Sequence, residues 1–122
     1  MRAFRTRHEE AREWRARAVR GLVRAIAPDL VFVEIANAFL VEHRAGLMPA
    51  GEIATALSEL LRMPLGVVST KELVQDALAI AAARGLSAYD ACYVALAEAN
   101  SAPLVTADRK LAAACARAEL LT

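Results

Sequence analysis

Apolar positions recur at helical spacing over residues 8–20, where Ala11, Trp14 and Ala18 share a stripe with Val19 and arginines fill the other face. This predicts an amphipathic helix ended by Gly21. Residues 22–27 read as a short strand, and Pro28 stands where a proline at the first position of a helix would. Residues 29–45 (DLVFVEIANAFLVEHRA) are apolar on most sides and close at Gly46, which predicts a largely buried helix. A further helix is expected over 50–62, stopped by Pro64, and the aliphatic run Leu65–Val68 reads as a buried strand. Thr70 is expected to cap a helix through Arg84, ended by Gly85. Ser87 is expected to cap the next, which runs to about Asn100. Pro103–Thr106 reads as a strand, Asp108–Ala116 as a helix and Glu119–Leu121 as a final strand. Short aliphatic strands alternating with helices predict an α/β fold around a mostly parallel sheet.

Composition narrows the classes. Of 122 residues, 57% are apolar, which excludes a disordered chain, and only 5% are aromatic, so the core must be aliphatic. The 29 alanines favour closely packed helices. Net charge is +1, but residues 1–24 carry eight arginines against Glu9, Glu10 and Glu13, whereas the remainder is acidic by −4. A basic arm on an acidic body can touch nucleic acid, or can simply be the solvated face of a helix. Residues 1–18 are too charged for a secretory leader, and no uncharged run approaches the roughly 18 residues that span a bilayer. A cytoplasmic protein is expected. Cys92 and Cys115 have neither CxxC nor metal spacing and are expected to be buried thiols.

Three carboxylates stand out. Glu34 follows Leu30-Val-Phe-Val33 and precedes Ile35-Ala36, with no basic residue one helical turn away in either direction. On a buried helix such a carboxylate is expensive, several kcal/mol if ionised and unpaired, so it calls for a metal, a distant cation or a raised pKa. Asp90 falls three residues after Ser87, which fits a capping box, and an acid in the first turn complements the helix dipole. Asp108 directly follows a strand and fits an N-cap. Either Asp has a purely structural explanation by itself. Together, a helical Glu and two Asp at strand-to-helix junctions suit a hard divalent cation, Mg²⁺ or Mn²⁺, which prefers carboxylate and water oxygens. Such a cation activates water for attack on a phosphodiester. His8 and His43 stand alone, His43 reading as structural, and no nucleophile elbow, P-loop or dinucleotide fingerprint occurs.

The runs Pro28-Asp-Leu-Val-Phe-Val-Glu34-Ile-Ala-Asn-Ala, Gly85-Leu-Ser-Ala-Tyr-Asp90-Ala-Cys-Tyr-Val-Ala-Leu-Ala-Glu98 and Pro103-Leu-Val-Thr106-Ala-Asp108-Arg-Lys-Leu resemble the PIN domain, and within it the VapC-type toxins of toxin–antitoxin pairs. The resemblance covers residues 9–122. It implies a three-layer α/β/α sandwich and a metal-dependent ribonuclease. Acids matching Glu34, Asp90 and Asp108 would bind Mg²⁺ or Mn²⁺, and the hydroxyl matching Thr106 would assist them. It also implies a homodimer and a cognate antitoxin that inserts a segment near the active site. PIN domains begin with a strand ending in a further acidic ligand. Residues 1–7 (MRAFRTR) carry no acid, so a single PIN-like domain over 1–122, N-terminally incomplete, is expected. That gap supports an alternative, a catalytically impaired or inactive PIN-like module that binds antitoxin or RNA without cleavage. A plain helical interaction protein, its acids serving only as caps, is the third reading.

Overall fold

In the computed structural model, the described residues are 16–17, 20–21, 24–102, 104–106, 109–115 and 118–120. The expected helix over 8–20 therefore lies outside them except for Ala16–Arg17, which are helical, and Arg20, which is already in a turn; the basic arm and the expected loss of the first strand lie largely outside them too. The elements run β1 (Ala25–Pro28), α1 (Val31–Arg44), α2 (Ala50–Arg62), β2 (Leu65–Val68), α3 (Thr70–Arg84), α4 (Ala88–Ala99), β3 (Leu104–Thr106), α5 (Arg109–Ala114) and β4 (Ala118–Leu120).

The strands form two parallel pairs, β1 with β2 and β3 with β4. Parallel neighbours require a crossover, here the α1–α2 hairpin for the first pair and α5 for the second. Both pairings bear out the α/β expectation and remove the purely helical reading. In β1–β2 the register sets Ile26 beside Gly66, where an added Cβ would stand 3.1 Å from the Ile26 Cγ2 methyl. Gly66 thus makes room for a branched neighbour. Pro28 is the last residue of β1 rather than the first of a helix, and it is fully buried. Asp29 and Leu30 turn the chain before α1 begins.

α4 is the central helix. Ala91, Cys92 and Val94 through Ala97 are all buried, on every side of it. Against one side, Leu73 and Ala77 of α3 complete a cluster with Ala91, Cys92, Ala95 and Leu96, and Ile26, Leu30 and Val68 pack onto it. Against the other, Val94 and Ala97 meet Leu104 and Leu111. α4 touches both β1 and β3 and so links the two strand pairs. The alanines let α3 and α4 approach closely. Ala77→Leu, at a position with no exposure, should overpack this seam and cost roughly 1–3 kcal/mol in urea unfolding. An unchanged midpoint would mean that the seam has room to spare.

The helix expected to be buried is not. α1 has no buried residue, and its half-buried positions Val31, Phe32, Ile35, Ala36 and Phe39 fall on one stripe. Val33 and Val41 are 73% and 58% exposed. The sequence of α1 is apolar on several faces, but among the described residues only one is covered, chiefly by α2.

Helix ends follow their local chemistry. Ser69, not Thr70, is the N-cap of α3, its hydroxyl accepting from the Lys71 N–H at 3.2 Å. α3 ends at Gly85, whose φ of 67° is left-handed and whose N–H donates to the Ala81 carbonyl. Arg84 then ties three helices, donating to both carboxylate oxygens of Glu98 at 2.6 and 3.1 Å and to the Ala114 carbonyl at 2.6 Å. His43 donates from Nδ1 to the Met48 carbonyl at 2.8 Å, which ties the end of α1 to the turn that follows it.

Candidate active site

The carboxyl ends of β1 and β2 lead directly into Asp29 and Ser69, where the starts of α1 and α3 gather. In parallel sheets this edge is where ligands bind. The Asp29 backbone N–H donates to the Val68 carbonyl at 2.9 Å, and its Oδ1 accepts from the Thr70 N–H at 3.1 Å. Asp29 therefore stitches the two junctions together.

Glu34 lies in the first turn of α1 and is exposed. This corrects the expectation of a buried, partnerless carboxylate: α1 is open on that side, and Glu34 Oε1 accepts from the Tyr93 hydroxyl at 2.8 Å. The desolvation argument that singled out Glu34 therefore does not hold, but its tertiary partner gives it a defined place.

Asp90 lies in the first turn of α4 and is half-buried. Ser87 is the N-cap, and its hydroxyl accepts from the Asp90 backbone N–H at 3.1 Å. Only that half of the capping box forms among the described residues. The Asp90 carboxylate is not used to cap its own helix.

The charges of Glu34 and Asp90 both act on Tyr93. Burial, then the bond to Glu34, then the charges of Glu34 and Asp90 push the Tyr93 hydroxyl well above its ordinary pKa, so it keeps its proton and remains a donor. Burial also pushes up the Cys92 thiol, helped by the charges of Asp29 and Glu34. Cys92 and Cys115 are both free thiols; Cys92 is buried as expected, whereas Cys115 is only half-buried.

Thr106 closes β3, but its side chain and the whole of Asp108 lie outside the described residues. Among the described residues no three His, Cys, Asp or Glu side chains form a metal-binding group. The chemistry of the donors present, carboxylates with Glu34 open to solvent, suits a hard cation that retains waters.

Two residues were missed as participants in the sequence, Asp29 and Tyr93. Asp29 carried a signal, an acid directly after a strand. Tyr93 carried a weaker one, its spacing of three from Asp90, which puts the two near each other on α4.

The pattern of the family described as PIN domain matches residues 2–117. The chain belongs to the PIN-domain family. This PIN domain is also 40% identical over 106 residues to Ribonuclease VapC3 of Pyrobaculum aerophilum, covering 85% of the present chain and 81% of the relative, which makes it VapC-like. Among solved structures it is similar to the crystal structure of PAE2754, also from Pyrobaculum aerophilum. That match has a TM-score of 0.66 and 31% identity, and covers 77% of this chain and 69% of the other. The α/β fold expected from the motifs is thereby borne out. No helix among the described residues is long and apolar enough to cross a membrane.

Proposed function

We propose that this PIN domain is a metal-dependent endoribonuclease, the toxin of a VapBC-type pair, acting in the cytoplasm as a homodimer controlled by a cognate antitoxin. The observation that supports it best is the hydrogen bond from the Tyr93 hydroxyl to Glu34, which ties Glu34 of α1 to the helix that carries Asp90, 56 positions further along the chain. The similarity to a protein named as a ribonuclease supplies the substrate class.

In this reading Glu34, Asp90 and Asp108 hold Mg²⁺ or Mn²⁺, with the Thr106 hydroxyl assisting. The bound cation would lower the pKa of water and offset charge on the phosphate. The residues of the chain do the rest. Ser87 fixes the first turn of α4 and with it the backbone of Asp90. Asp29 locks the β1 and β2 ends in register with α3. The arginines of residues 2–24 meet RNA phosphates.

The test is incubation of the full chain with a total RNA pool and Mn²⁺, with and without EDTA. Cleavage abolished by EDTA is the expected result. RNA that is bound but left intact, with binding indifferent to EDTA, would overturn the nuclease reading in favour of the non-cleaving module.

A further inference from the structure

We propose that Tyr93 is a positioning residue for metal binding, its hydroxyl holding the Glu34 carboxylate in the orientation that ligates the cation. The inference rests on the metal-dependent reading above and adds a residue to it.

Glu34 needs such a partner. It is exposed, on a helix that packs chiefly against α2 rather than on the central α4, so its side chain would otherwise sample several rotamers. Tyr93 is well placed to restrict it. The ring packs against the cluster of Val94, Ala97, Leu104 and Leu111, and Leu104 and Leu111 belong to β3 and α5. A rigid, core-anchored ring thus carries its hydroxyl out to the edge, where it donates to Glu34 Oε1 at 2.8 Å. This bond ties α1 to α4 across 59 positions of sequence. Tyr93 is also three residues from Asp90 on the same helix. One helix therefore supplies one carboxylate and orients the other.

Partners that orient metal ligands without touching the metal typically change affinity by about 10- to 100-fold when removed. Mn²⁺ alone is titrated calorimetrically into the full chain, into Tyr93→Phe, into Asp90→Asn, and into Glu34→Gln with and without Tyr93→Phe. Phenylalanine keeps the packed ring and deletes only the donor. Tyr93→Phe should weaken Mn²⁺ binding by about 10-fold or more. It should add nothing on the Glu34→Gln background, because the effect passes through Glu34.

Wild-type affinity in Tyr93→Phe, with Asp90→Asn impaired, would overturn the positioning role and leave the metal site standing. So would an equal loss in the presence and absence of Glu34→Gln, which a general structural role for the hydroxyl would produce. No Mn²⁺ binding by the wild-type chain, with Asp90→Asn the same, would overturn the metal-dependent reading and the positioning role with it.

Discussion

Asp90→Asn should reduce Mn²⁺-dependent RNA cleavage by about 100-fold or more while leaving the fold in place. A cation that offsets charge on a reacting phosphate supplies several kcal/mol to the transition state, and each 1.36 kcal/mol is tenfold in rate. Removing one anionic ligand weakens both the hold on the cation and its placement. The fold has little at stake. Asn matches Asp in shape, and the Ser87 hydroxyl bonds the backbone N–H of residue 90, which the substitution retains. What is lost structurally is one negative charge in the first turn of α4, about 0.3–1 kcal/mol through the helix dipole. Cleavage rates set beside a circular-dichroism melt separate the two effects. Cleavage at the wild-type rate would remove Asp90 from the site. Loss of cleavage together with loss of the folded signal would return it to a structural role.

Leu96→Ala should be the most damaging truncation in the α3–α4 seam, at about 2–5 kcal/mol. Leu96 is 4% exposed and belongs to the cluster with Leu73, Ala77, Ala91, Cys92 and Ala95. Three of those five buried residues are alanines, which have no longer rotamer with which to fill a gap, so the cavity should close only in part. For a domain whose net stability is of order 5–15 kcal/mol this is a large share. The comparison is Leu61→Ala on α2, where the leucine is 63% exposed and the change should stay within about 0.5 kcal/mol. Urea unfolding of both variants checks the contrast, and equal shifts would mean that α4 is not the centre of the core.

Much of this organisation was legible in the sequence because it depends on neighbours along the chain. The bounds of α2 and β2 match the expected 50–62 and 65–68, since Pro64 and two contrasting hydrophobic patterns delimit them. Ser87 caps α4 and Gly85 ends α3 because a hydroxyl two or three residues from a free N–H, and a residue without a Cβ, solve local problems. The carboxylates at the strand-to-helix junctions, and the family resemblance, are local signals of the same kind.

Tertiary structure decided what those signals could not carry. Apolarity named α1 as the buried helix, yet α4 is buried all round and α1 is covered on one stripe, because burial depends on how many neighbours a helix acquires. The same misassignment misread Glu34, whose significance lies in its bond to Tyr93 and not in desolvation. No periodicity relates positions 34 and 93. The sequence by itself determined the elements, their caps and the acids at their ends; packing against a common core decided which helix is central and which tyrosine meets which carboxylate.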